Sequence, residues 1–186
     1  MTSTAPNSPV PTSPPTVGIP RPLTRVILLS IATGLLYYGL YKWTIQDELK
    51  AHVESTSAGA SARDLDSSPR VWSGALCIIP FVVGIVLPLA LAQFDPDVPS
   101  WFASLSFSGV IWIYIVQFRL YQEINRLYEA EGLKAPLVSW WIIVPGLNLI
   151  VGLRQIHFLS EYWARQSGNP APDSVAERLP WLFGNR

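Results

Sequence analysis

Charge is what this sequence has least of. Charged residues make up 14% of the chain, against about 25% in ordinary soluble domains. The deficit is concentrated: Lys, Arg, Asp, Glu and His are absent from 26–41, 71–94, 98–118 and 137–153. A charge at mid-bilayer costs roughly 2.5–3.5 kcal/mol on insertion scales. Ion-free windows of this length therefore point to lipid as the solvent. Cysteine is scarce too. The single Cys77 rules out a disulfide framework, and its apolar surroundings mark it as a small hydrophobe. The only histidines, His52 and His157, do not stand at metal-pair spacing. His157 and Glu161 could form an acid/base pair at i,i+4, but they read more simply as two residues on a solvated helix face. No serine-hydrolase elbow, zinc-protease motif or glycine-rich phosphate loop is present. With 13 basic and 13 acidic residues, there is no basic footprint for nucleic acid. The sequence thus predicts no enzyme, with no catalytic, metal or cofactor-binding residues.

What remains is organised around the apolar windows. Residues 1–22 are rich in Pro, Ser and Thr and read as a disordered tail, because they cannot bury enough apolar surface to offset ordering entropy. A membrane helical domain is expected over 23–167, with spans at about 24–41, 71–94, 100–118 and 137–153. A Ser/Ala/Gly/Asp linker is expected at 55–70 and a C-terminal tail at 168–186. Tyr37, Tyr38, Tyr41 and Trp43 crowd the end of the first window, as aromatic residues do at a headgroup interface. Ile45, Leu49 and Val53 then recur every four residues, so an amphipathic helix continues out of the membrane. The same grammar follows the third window, with Leu120, Ile124 and Leu127 on one stripe and Arg119, Glu123 and Arg126 placed to pair. After the fourth window, Ile156, Leu159 and Trp163 share a face and Glu161 precedes Arg165 by four. Gly132 with Pro136, and Gly168-Asn169-Pro170, read as helix stops. The apolar Leu179–Phe183 segment is expected to touch the interface or the bundle.

Candidate positions lie inside the windows. Pro80, Gly84 and Pro88 are spaced by four on one helix face, which predicts a bent helix packed against neighbours, or a carbonyl-lined path. Ser30-x-x-x-Gly34 and Ser104-x-x-x-Ser108 have the small-residue spacing that lets membrane helices approach. Pro145-Gly146 interrupts the fourth window beside Asn148, which reads as hydrogen-bonding glue or as part of a broken-helix binding site.

An apolar span, a basic residue and an amphipathic helix recur, beginning at Lys42, Arg119 and Arg154. The first and third copies align with Gly34-Leu35 against Gly146-Leu147 and Lys42 against Arg154. The stretches 34–43 (GLLYYGLYKW), 46–49 (QDEL) and 118–127 (FRLYQEINRL) resemble a family of uncharacterised small bacterial membrane proteins defined by domain of unknown function 4234. The resemblance covers about residues 25–167. The departures are the long 55–70 linker and a more hydrophobic second helix. It implies a multi-span helical fold and carries over no functional residue.

The fold class expected is all-α: a polytopic bundle of about four transmembrane helices with amphipathic juxtamembrane extensions, in a multi-pass cell membrane of bacterial inner-membrane type. Four full spans put seven basic residues on one side and six on the other, which is no bias. If the short first and fourth windows dip in and return, all 13 lie on one side, as the positive-inside tendency favours. The expected function is that of a non-enzymatic scaffold or accessory subunit, whose partners are membrane lipids and other membrane proteins or itself. The alternative is a small oligomeric channel or transporter centred on Asn148 and the Pro80/Pro88 helix.

Overall fold

The computed structural model describes residues 17–34, 36–57, 71–93, 101–144, 146–169 and 178–183. Within them the chain is all helical. In order come α1 (Leu23–Ala32), α2 (Leu36–Ser57), α3 (Gly74–Phe81), a π turn (Val82–Val86), α4 (Leu87–Ala92), α5 (Trp101–Ala130), a 3-10 helix (Ser139–Ile143), α6 (Leu147–Ser167) and α7 (Pro180–Phe183). Most of the expected tail, most of the 55–70 linker, residues 94–100, Pro145 and residues 170–177 lie outside the described residues.

The first window does not form one helix over 24–41. α1 stops at Ala32, and Gly34 takes φ 57°, a left-handed conformation that suits glycine. The Thr33 hydroxyl donates to the Leu29 carbonyl at 2.7 Å and accepts the Tyr37 N–H at 3.0 Å. One side chain thus ends α1 and caps α2. The fourth window is broken in the same way: the 3-10 helix ends at Ile143, Gly146 takes φ 85°, and α6 starts at Leu147. A continuous helix over 24–41 is therefore corrected to a helix–turn–helix segment, and the interruption expected in the fourth window falls at Gly146. Among the described residues, no helix is long and apolar enough to cross a membrane.

The second window is helical from Gly74 to Ala92 but changes pitch at the π turn. A proline supplies no N–H and crowds the carbonyl four residues back. Pro80 lies within α3 and Pro88 in the first turn of α4, so the widened turn accommodates the ring of Pro88. Gly84 and Pro88 are buried, Pro80 is half-buried, and Val82, Val83, Val86 and Leu87 are exposed. The stripe therefore faces inward, and this stretch packs against α5.

α5 carries the third window and its extension in one run of 30 residues. It closes at Gly132 (φ 73°), where the Leu133 N–H reaches the Tyr128 carbonyl at 2.9 Å. α6 closes alike at Gly168 (φ 68°), with Asn169 N–H on the Ala164 carbonyl at 3.0 Å. Both are Schellman stops. Beyond Gly132 the chain returns along α5, held by Asn125. Its carboxamide accepts the Leu137 N–H at 2.9 Å and donates to the Leu137 carbonyl at 2.7 Å.

The core is centred on the amphipathic extensions and takes in Val26, Val71, Leu137, Ile142 and Val151 from the apolar windows. Ile45 and Leu49 of α2, Leu120, Ile124 and Tyr128 of α5, and Ile156, Leu159 and Trp163 of α6 are all buried in one cluster. Lys42 to Gln155, Tyr128 to Phe158, His52 to Tyr162 and Arg165 to Glu131 are hydrogen-bonded pairs. The extensions of α2, α5 and α6 therefore stand side by side at the same end of the molecule. Other large apolar side chains of the windows point outward: Leu28, Ile31, Leu36, Leu76, Val86, Phe107, Ile111, Ile143 and Leu149 are exposed. Residues 17–22, the end of the expected disordered tail, lie against this head. Arg21 pairs with Glu48, with one N–O distance of 2.9 Å. A Cβ on Gly18 would overlap the Trp163 ring. α7 docks as well, with Leu182 and Phe183 buried.

α3 is seated by α2. The Asp47 carboxylate accepts the Gly74 N–H at 2.8 Å, and a Cβ on Gly74 would overlap both the ring and the carbonyl oxygen of Trp43. Gly39, inside α2, meets nothing within 4 Å. We expect Gly74→Ala to lower stability by about 1–3 kcal/mol, the usual cost of overpacking. Gly39→Ala should raise stability by up to about 1 kcal/mol through helix propensity. Thermal unfolding of the two purified variants checks both, and equal effects would contradict the packing described.

Candidate functional site

The head and the windows meet at a layer of polar side chains buried among α2, α5 and α6. Lys42, immediately after the first window, is 4% exposed. Its ammonium donates to Gln117 Oε1 at 3.0 Å and to Gln155 Oε1. It also faces two aromatic rings, with Nζ 5.2 Å from the Tyr38 centroid and 5.6 Å from that of Tyr121. Gln155 donates its amide N–H to the Tyr41 hydroxyl at 3.2 Å. Amide oxygens and π faces stabilise a cation, but these partners are neutral. Desolvation therefore dominates and lowers the Lys42 pKa from 10.5 to about 7. A base buried in this way gains or loses its charge near neutral pH.

Beside this layer, between α1 and α6, lies a cavity of about 570 Å³. Val26, Ile27, Ile31, Leu149, Leu153 and Ile156 form its aliphatic walls, and Ser30, Tyr38 and Asn148 supply polar groups. Tyr38 joins the two features, since its ring borders the cavity and its face carries Lys42. Gly152, also in the wall, permits the approach: a Cβ there would sit 3.7 Å from the Tyr38 hydroxyl and 3.9 Å from that of Tyr121.

The candidate positions read from the sequence fall into separate places. Ser30 and Asn148, 118 positions apart in the numbering, converge on the cavity. Gly34 and Gly146 form the turns of the two broken windows. Pro80, Gly84 and Pro88 belong to the stretch packed on α5 and do not line the cavity. Ser104 and Ser108 are exposed on α5, and Pro145 lies outside the described residues. Asn148 and the proline helix therefore do not share one path.

Sequence reasoning missed the Lys42 layer itself. The available signals were two glutamines, Gln117 at the end of the third window and Gln155 beside Arg154, and the alignment of Lys42 with Arg154. That alignment has a geometric counterpart. Each cation follows a positive-φ glycine by about two helical turns, and each gives its hydrogen bonds to neutral oxygens. Arg154 donates to the Pro136 carbonyl at 2.7 Å and to the Leu182 carbonyl. Arg119, expected to pair with Glu123, instead lies 4.2 Å over the Trp72 ring, which stacks on Trp112. Arg126 takes Glu123 at 3.7 Å, and Arg165 takes both Glu161 and Glu131 at 2.9 Å. His52 bonds Tyr162 at 2.9 Å, and His157 stands 4.8 Å from the Phe183 ring and 3.9 Å from the Glu161 carboxylate, the i,i+4 pair read from the sequence. Among the described residues, no group of His, Cys, Asp and Glu converges as a metal site.

The lowered Lys42 pKa fixes the sign of a pH effect. The unfolded chain holds a proton between about pH 7 and 10.5 that the folded chain releases, so stability rises with pH across that window. Lys42→Met should flatten that rise, seen as a weaker increase of Tm between pH 7 and 10 than in the unaltered protein. Parallel Tm profiles would mean that the amine is solvated and charged in the fold. No family model, curated protein or solved structure matches this chain.

Proposed function

We propose that the chain is an integral membrane protein of the bacterial inner-membrane type, and that it acts as a non-enzymatic scaffold or accessory subunit. The observation that carries this reading is the inversion of apolar surface. The amphipathic extensions bury their apolar faces in the head, while the ion-free windows expose Leu28, Ile31, Leu76, Val86, Phe107, Ile111 and Leu149. Extended apolar exposure of this kind marks an interaction or membrane surface. Lipid satisfies every window at once.

The topology follows from lengths and sides. α1 has 10 residues, which rise about 15 Å, half of a hydrocarbon core of about 30 Å. The first and fourth windows then enter and return at Gly34 and Gly146. Both turns are exposed, with open space around Gly34 and Gly146; the first is satisfied by the Thr33 hydroxyl. No single described helix is long and apolar enough to cross; the run Gly74–Ala92, three elements end to end, rises about 28 Å, and the proposed crossing is the hairpin of this run packed on α5. This arrangement keeps the extensions of α2, α5 and α6 on one side, and all 13 basic residues with them. Four full crossings would separate α6 from its partners in the head.

The scaffold role rests on how the head uses its polar groups. Arg165 with Glu131 and Glu161, Arg21 with Glu48, and Asp47 with Gly74 hold elements together. The channel or transporter reading is weakened because its two residue sets, Asn148 and Pro80/Pro88, do not meet. Single cysteines at Glu54, Gln93 and Asn169 in a Cys77→Ser background test the topology with an impermeant thiol reagent. Glu54 and Asn169 should label from one side of vesicles and Gln93 from the other. Labelling of Asn169 together with Gln93 overturns the arrangement. Gentle detergent extraction should recover a stoichiometric membrane partner; a partner-free homo-oligomer would sink the accessory-subunit role.

A further inference from the structure

The cavity between α1 and α6 lies against the outward apolar surface rather than within the head. Two of its wall residues, Ile31 and Leu149, are 72% and 68% exposed, so the cavity opens among side chains that the membrane reading places in lipid. Its volume of about 570 Å³ falls within the roughly 300–1,000 Å³ of ligand pockets. Six aliphatic side chains match a hydrocarbon chain. The polar groups define the rest of the ligand. Ser30 donates its proton to the Val26 carbonyl at 2.6 Å, so it can only accept. Tyr38 and Asn148 retain O–H and N–H donors for a ligand. Lys42 Nζ stands 5.2 Å from the Tyr38 ring centroid, and its charge, when protonated, adds positive potential. The site therefore suits hydrogen-bond acceptors joined to an apolar chain and has no place for a cationic head.

We propose that this cavity, bounded by α1 and α6 and floored by Tyr38 and Gly152, is a lateral binding site for one acyl chain of a membrane glycerolipid, whose ester oxygens accept from Tyr38 and Asn148. The proposal rests on the membrane reading above. It adds a specific lipid site to the general apolar surface. Gly152 is the position that keeps the cavity open: a Cβ there is in ordinary contact with the two tyrosine hydroxyls, and anything larger grows into the space.

The full-length protein is reconstituted in phosphatidylcholine/phosphatidylglycerol liposomes containing a phosphatidylcholine with a mid-chain diazirine. After irradiation, labelled peptides are mapped by mass spectrometry. Residues 26–38 and 147–156 should carry label severalfold above residues 76–91, which contact bulk lipid in this topology. Gly152→Leu should reduce that excess to the 76–91 level while leaving 76–91 labelled. If Gly152→Leu fails to fold, Leu149→Trp at the exposed mouth carries the same test, with the same loss expected. Uniform labelling, or an excess that survives the plugging variant, overturns the site and leaves the membrane reading standing. Excess at the cavity with none at 76–91 supports the site but overturns the membrane reading. No label in either region overturns both.

Discussion

An apolar segment can reverse direction only where the polar groups of the turn find partners, because an unpaired N–H or carbonyl away from water costs about as much as the bond it lacks. The first window meets this requirement through Thr33. Its hydroxyl serves the carbonyl of Leu29 and the N–H of Tyr37, and Gly34 takes the backbone conformation that a β-carbon would strain. Remove this turn and α1 and α2 become one rod. α1 would then no longer flank α6, and the cavity would lose one wall. The second break at Gly146 does the same for α6, bringing it back beside α2 and α5. The head, the Lys42 layer and the cavity all follow from these two reversals.

Much of this was legible in the sequence where the signal was local. Gly132 and Gly168 stop their helices as expected, because a left-handed C-cap is a property of the glycine itself. The faces Ile45-Leu49-Val53 and Ile156-Leu159-Trp163 are buried as their spacing implies, since one helix dictates which side chains align. The Thr33-Gly34 break was not read, although threonine before glycine is a capping and turn signal in itself. The apolar run masked it: hydropathy averages over a window, while a turn needs only a few residues. The burial of Lys42 lay further out of reach. Its glutamine partners stand 75 and 113 positions away, and only tertiary packing joins them. The expectation for Arg119 failed for a related reason. Helical spacing allowed Glu123, but the Trp72 ring from another segment offered a planar cation a better face.

The basic residues sort by position along the molecular axis. Arg21, Lys50, Arg126 and Arg165, placed in the head, pair with carboxylates. Lys42, Arg119 and Arg154, which begin where the windows end, rest on aromatic rings and neutral oxygens. Of these head pairs Lys50–Glu54 is the most exposed, whereas Arg21–Glu48 is mostly covered and Glu123 is buried, so each buried charge there is met by an opposite one. At the edge of an apolar region an acid would add a second desolvation cost, whereas an amide oxygen or a π face supports the cation at a lower one. The recurring basic residue in the sequence is thus a boundary marker, and its partners are rings and neutral oxygens because those are the groups the neighbouring segments bring beside it.

That boundary also explains why Lys42 and Arg154 are not interchangeable despite equivalent places in the repeat. Arg154 is half-buried, and its fork reaches two backbone carbonyls belonging to separate segments, 136 and 182. A planar, multi-donor group suits that bridging task and stays charged throughout. Lys42 is a compact cation enclosed by three helices, and its charge is held only by neutral dipoles. Lysine responds to such enclosure by shifting its protonation, which arginine scarcely does. The two copies of one local pattern have therefore acquired different physical duties. One fastens the C-terminal helix to the head at any pH. The other places a titratable amine behind Tyr38, against the wall of the cavity.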